Sequence, residues 1–141
     1  MRGKTSYRFI DHTADLGILV RGEDPKSLFK NTALALVDII VDAKVPGSQE
    51  KKAIDVTGDD WADLMVNWLR EILYLWNGGE CLVKDVTVIE LSEKQLRAEV
   101  ALEAYQPQIH TIKTEIKAVT YHQIQVGPAN GEWEARIIFD T

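Results

Sequence analysis

Tyr7 to Ile10 is short and apolar at alternate places, which predicts a strand, and the mostly apolar stretch Leu16 to Arg21 reads as a second strand, ending at Gly22. The period then lengthens. Asp24-Pro25 combines an N-cap residue with a proline at the first helical position, where the missing N–H costs nothing. Leu28, Thr32, Leu36 and Ile40 follow at helical spacing, with Phe29, Ala33 and Val37 beside them, so the pattern predicts an amphipathic helix with a wide apolar face. Val45 to Glu50 contains Pro46-Gly47-Ser48 and reads as a loop. Lys52 to Thr57, with Ile54 and Val56 at alternate places, reads as a strand.

Asp59 or Asp60 caps a second helix, which carries Trp61, Leu64, Met65, Trp68, Leu69, Ile72, Leu75 and Trp76 at helical spacing. Asn77-Gly78-Gly79 should end it, since glycine accepts the left-handed conformation at a helix C-terminus. Cys81 to Leu91 and Lys94 to Ala104 are β-rich and meet at Ser92-Glu93, the pattern of a hairpin. Glu115 to Val126 and Glu132 to Asp140 suggest another strand pair around Gly127-Pro128-Ala129-Asn130-Gly131. The order β, β, α, β, α and then mostly β predicts an α+β fold: two helices packed on a mixed, largely antiparallel β-sheet. No internal repeat and no linker-like shift in composition is expected, so residues 1–141 read as a single domain.

Composition narrows the function. The chain has 141 residues, 45% hydrophobic and 27% charged, and a net charge of −6. A protein whose task is to grip phosphate backbones usually has the opposite sign, which disfavours non-specific nucleic-acid binding and leaves room only for a local basic patch. The single cysteine, Cys81, cannot form an intramolecular disulfide and fits a reducing compartment. Ala33 to Val41, the longest apolar run, is broken by Asp38 and too short to span a bilayer. With no signal-peptide core at the N-terminus, the expected location is the cytoplasm, without membrane contact.

Walker-type, dinucleotide-binding, CxxC, HExxH and GxSxG motifs are all absent. The densest polar cluster is Asp11-His12-Thr13-Ala14-Asp15, between the first two strands. Two carboxylates, an imidazole and a hydroxyl can build a hard-cation site or an acid–base pair; equally, Asp and Thr side chains make turns by bonding nearby backbone N–H groups. At the other end, Ile137-Ile138-Phe139 is strongly β-forming and runs directly into Asp140-Thr141, which would place the Asp140 and terminal carboxylates on an ordered element. If the first and last strands are neighbours, Asp15, Asp140 and the Thr141 carboxylate converge. Such a group repels itself unless a proton or cation joins it, and oxygen donors suit calcium or magnesium rather than zinc. Trp61, Trp68 and Trp76 form a stripe that reads as core, with a partner-facing ridge as the rival reading. His110 and His122 look isolated, and Lys113 to Lys117 reads as a solvated strand edge.

Four segments, in order, resemble the archease family: Tyr7 to Gly17 around His12-Thr13-Ala14-Asp15, Gly58-Asp59-Asp60 with Leu69 to Tyr74, Glu115 to His122, and Ile138-Phe139-Asp140-Thr141. The resemblance covers Tyr7 to Thr141. One departure is Ile109 to Glu115, where the family often carries a Gly-Thr pair. The resemblance implies an archease-like fold and a non-enzymatic protein that assists the RNA-splicing ligase RtcB, promoting GTP-dependent guanylylation of that ligase and its multiple turnover in tRNA splicing and RNA repair. It implies metal ligation by Asp15, Asp140 and Thr141, with a divalent cation (calcium, or magnesium or manganese). Asp11 and His12 would be further tip residues, and Glu71 and Lys117 partner-facing ones. The implied partners are RtcB and, for some members, a tRNA methyltransferase, with RNA contacted indirectly. Two rival readings remain: a small metal-dependent phosphoesterase using Asp11, His12 and Asp15, and a chaperone-like binding module.

Overall fold

A computed structural model describes residues 7–10, 15–42 and 49–141. The strands are β1 (Tyr7–Ile10), β2 (Leu16–Gly22), β3 (Val41–Asp42), β4 (Glu50–Thr57), β5 (Cys81–Leu91), β6 (Gln95–Ala104), β7 (Thr111–Ile112), β8 (Ala118–Val119), β9 (Gln125–Ala129) and β10 (Glu132–Asp140). Helix α1 spans Pro25–Ile40 and α2 spans Trp61–Gly79. The α+β class with two helices holds, and every strand pair among the described residues is antiparallel. Instead of one sheet, the described residues form three: β1-β2-β10-β8 with β9 also on β10, then β4-β6-β5, then β3-β7.

One core lies between the helices and the two larger sheets. Ile18, Val20, Ala135, Ile137 and Phe139 enter it from the first sheet, and Ile54, Val56, Leu96, Ala98 and Val100 from the second. Phe29, Leu36, Trp68 and Leu69 meet them from the helices. The tryptophan stripe is core. Trp68 is fully buried and its indole N–H donates to the Phe29 carbonyl at 2.9 Å, while Trp61 and Trp76 pack partly buried against the same cluster. No helix among the described residues is long and apolar enough to cross a membrane.

One strand-to-helix arrangement occurs twice. β2 ends at Gly22 before the N-cap Asp24, whose carboxylate accepts from the Ser27 N–H at 2.8 Å. β4 ends before Gly58 and the N-cap Asp60, which accepts from the Asp63 N–H at 2.8 Å. In each unit an asparagine one helical face along reaches back to the strand's last turn. The Asn31 amide donates to the Arg21 carbonyl and the Asn67 amide to the Thr57 carbonyl, both at 2.9 Å. The shared residues are Gly, Asp, Leu and Asn, too few to register as a composition repeat.

Three further boundaries differ from expectation. Gly78 and Gly79 stay helical, and the left-handed cap is Glu80 (φ 51°), whose carbonyl accepts from the Tyr105 N–H at 2.8 Å. β9 runs on to Ala129, and the turn is confined to Asn130-Gly131, both with positive φ, as a two-residue hairpin loop requires. Most of 113–124 is not strand: Lys113 and Thr114 donate to the Ile40 carbonyl, and only Ala118–Val119 joins the sheet. Charge alternation alone does not show where the free N–H groups of such a segment will find acceptors.

Candidate functional site

β10 lies beside β2, with Phe139 opposite Leu16. That pair closes the ladder: Asp140 follows Phe139 on β10 and Asp15 precedes Leu16 at the entry to β2, so residues from opposite ends of the chain flank the same end of the two strands. Asp15 is half-buried and Asp140 exposed. On its other side β10 meets β8, where Asp140 pairs with Ala118 and its carbonyl accepts from the Lys117 N–H at 2.7 Å. The exposed Thr141 follows. Asp11 and His12 lie outside the described residues.

Lys117 is thus joined to the tip through its backbone, and its segment is strapped to α2 by side chains. The Asn77 amide donates to the Ile116 carbonyl at 3.2 Å and the Arg70 guanidinium to the Val119 carbonyl at 3.3 Å. Arg70 also lies over the ring of Tyr121, 4.9 Å from its centroid, and the Tyr121 hydroxyl donates to Asp63 at 2.6 Å. That bond, and then the Asp59 N–H at 2.8 Å, hold the Asp63 carboxyl below its ordinary value, while the same bond pushes the Tyr121 phenol up. Glu71 is exposed on α2, next to Arg70. Tyr74, one turn on, is 70% exposed.

Two carboxylates at the ends of neighbouring strands supply hard oxygen donors of the kind calcium and magnesium take, and main-chain oxygens can add to them. That chemistry fits a divalent cation better than a soft metal. Among the described residues, no group of three or more His, Cys, Asp or Glu side chains comes together as a complete metal cage. Asp15 and Asp140 would therefore form part of a site that needs further ligands.

His110, which looks isolated in the sequence, is buried with Glu103. Its Nε2 lies 2.5 Å from a Glu103 carboxylate oxygen, both side chains are 0% exposed, and its Nδ1 accepts from the Gln106 N–H at 2.8 Å. An Nδ1 that accepts a hydrogen bond carries no proton, so the Nε2–H donates to the Glu103 carboxylate. The ring stacks on Tyr105, which meets Trp76 edge-on. This pair anchors the loop after β6. His122 is exposed. Cys81 is half-buried, and its thiol donates to the Gly79 carbonyl at 3.4 Å.

A profile of the archease protein family matches residues 7–141. The archease of Methanosarcina mazei is 37% identical over 139 residues, covering 95% of this chain and 94% of that protein. The archease of Pyrococcus abyssi is 34% identical, covering 95% and 97%. Among solved structures, a Methanobacterium thermoautotrophicum protein studied in solution superposes with a TM-score of 0.77 at 28% identity, covering 96% of this chain and 98% of that one. A Thermotoga maritima archease described as a possible chaperone superposes at 0.62 with 18% identity over 94% of each chain, a likeness of fold.

Proposed function

The chain belongs to the archease family, and from that premise we propose that it is a non-enzymatic cofactor protein of the RNA-splicing ligase RtcB. In this reading it promotes guanylylation of the ligase by GTP and release into further rounds of RNA joining. The observation that supports it best is the pairing of β2 with β10 up to Phe139–Leu16, which leaves Asp140 and Asp15 each next to the last pair of that ladder. An acidic point at the end of two paired strands can enter a partner's cleft. A divalent cation bound there would bring positive charge to that cleft, with Asp15, Asp140 and a Thr141 main-chain oxygen as the holding groups. Asp11 and His12 would add to the tip, while Glu71 and Lys117 flank it on the surface offered to the ligase. To accelerate turnover, the tip must bind one ligase conformation better than another, because equal affinity shifts nothing. RNA is held mainly by the ligase, in keeping with this chain's net charge of −6.

The deciding experiment is multiple-turnover RNA ligation by RtcB of the same organism, with GTP and metal, in the presence and absence of this protein. Wild type should raise turnover at least tenfold, and Asp15→Ala or Asp140→Ala should remove the gain while leaving the melting transition in place. A ligase that is active and indifferent to the protein would overturn the reading. Protection of unrelated clients from aggregation by both tip variants would then favour the chaperone-like one, and phosphoester hydrolysis lost in Asp15→Ala the phosphoesterase one.

A further inference from the structure

The face of the first sheet turned away from the helices carries an arginine row that the acidic tip does not use. Cross-strand partners share a face and successive residues alternate, so the ladder reads directly. Arg8 on β1 pairs with Leu19 on β2, Leu19 pairs with Arg136 on β10, and Arg136 pairs with Gln125 on β9. Strands are spaced about 4.8 Å apart, which puts the Arg8 and Arg136 backbones about 10 Å apart across Leu19. Arg21 lies two residues further along the same face, paired with Glu134 at 2.9 Å. Ile10 and Ile138 close over Gly17 on the tip side of the row, where a Cβ on Gly17 would lie 2.7 Å from Ile10 and 3.0 Å from Ile138.

The pairing of charges sets this row apart. Among the described arginines, Arg21 holds Glu134, Arg97 holds Asp55 and Glu90, and Arg70 holds the Val119 carbonyl and the Tyr121 ring. The outer face of the other large sheet is laced by the Arg97 pairs and by Lys51 with Glu99. Arg8 and Arg136 have no carboxylate or carbonyl partner among the described residues, although the chain has 22 acidic residues to draw on. Arg136 is half-buried, and Leu19 between them is only 9% exposed. Beside Arg8 lies a hollow of about 400 Å³ lined by Tyr7, Arg8, Leu19 and Arg21.

We propose that this row binds single-stranded RNA, with phosphates on Arg8 and Arg136 and a nucleoside in the hollow over Leu19. A guanidinium fork takes a phosphate by two parallel bonds and also stacks on a base. An acidic side chain would satisfy the charge but leave most of the hollow empty, whereas a nucleotide brings both the anion and the flat apolar plate. The row lies about four strand residues, on the order of 13 Å, from Asp140 on the same face. A strand of RNA running from a ligase cleft that holds the tip would cross it. The choice of RNA rests on the ligase reading; the binding test below contains no ligase, so the two can fail separately.

Fluorescence anisotropy of a labelled ten-nucleotide single-stranded RNA, titrated with the intact protein at low salt, tests the site. Saturable binding is expected, weakened at least tenfold by Arg8→Ala/Arg136→Ala and several-fold by Arg8→Ala alone, an exposed change that leaves folding intact. The slope of log affinity against log salt should fall by about 0.7 for each phosphate contact removed. Asp15→Ala/Asp140→Ala should bind RNA at least as well as wild type. Absence of saturable binding, or equal binding by the double arginine variant, would overturn the proposal. So would displacement by a ten-residue polyglutamate as effective as unlabelled RNA, which would make the row an acidic-peptide site.

Discussion

Asp140 follows and Asp15 precedes the Phe139–Leu16 pair that closes the β2–β10 ladder, although the chain between them contains almost the entire domain. Like charges at neighbouring positions of a sheet destabilise it, by roughly 0.2–1 kcal/mol. A bound cation reverses that term. Titrating calcium or magnesium should therefore raise the melting temperature of wild type, by an amount set by RT ln(1 + [L]/Kd). Asp15→Asn and Asp140→Asn should each abolish the rise and be no less stable than wild type in chelator. A wild-type transition unmoved by any divalent cation would remove the metal from the mechanism.

The Tyr121–Asp63 bond predicts a pH dependence whose sign follows from both partners. Asp63 is held below the ordinary carboxyl value, chiefly by the Tyr121 hydroxyl and then by the Asp59 N–H. Its contribution is present above that value and is lost as pH falls through the lower folded one. Tyr121 is raised above 10.0, so the contribution is also lost as pH climbs through the folded value of the phenol. Denaturant unfolding of Tyr121→Phe against wild type should show a difference that is constant at neutral pH and shrinks at both extremes. A difference that does not vary with pH would mean that the bond is not formed in solution.

Trp68 separates packing from hydrogen bonding. Trp68→Phe keeps an aromatic ring but strands the Phe29 carbonyl, which accepts the indole N–H at 2.9 Å, and should cost about 1–3 kcal/mol. Trp68→Ala should cost about 3–5 kcal/mol, since it also leaves a cavity. Chemical denaturation gives both numbers, and equal losses would assign the whole effect to the polar bond.

The Glu103–His110 pair is buried, so breaking one side should be worse than replacing both. Glu103→Leu leaves the His110 Nε2 without its carboxylate partner and should cost about 3 kcal/mol. Glu103→Leu/His110→Phe should recover a good part of that loss. The double-mutant cycle measures the coupling, and strict additivity would show that the pair is not formed.

The two strand-to-helix units make parallel predictions. A Cβ on Gly22 would lie 2.4 Å from the Leu28 backbone nitrogen, and one on Gly58 2.5 Å from that of Leu64. Neither helix start can yield like a flexible side chain. Gly22→Ala and Gly58→Ala should each lower stability by about 2 kcal/mol or more, read from thermal melts. Gly127→Ala, in open space, is the control.

Much of the fold was legible because its signals are local. Asp24-Pro25 and Asp60 cap their helices through their own backbones, the tryptophan spacing is a helix face, and Asn130-Gly131 is a turn by its own conformational preference. Family membership was legible for the same reason, from short motifs read in order. Other features depend on which strands become neighbours. Alternation shows that Arg8, Leu19 and Arg136 each face one side of a strand, but only the pairing of β1, β2 and β10 aligns them in a row. His110 is isolated in sequence and buried against Glu103 because the loop after β6 folds back. The sequence by itself determined the elements, their order and the chemistry available at each end. The tertiary structure decided the register, and register places side chains from distant parts of the chain within a few ångströms of one another, at distances where charges and hydrogen bonds act.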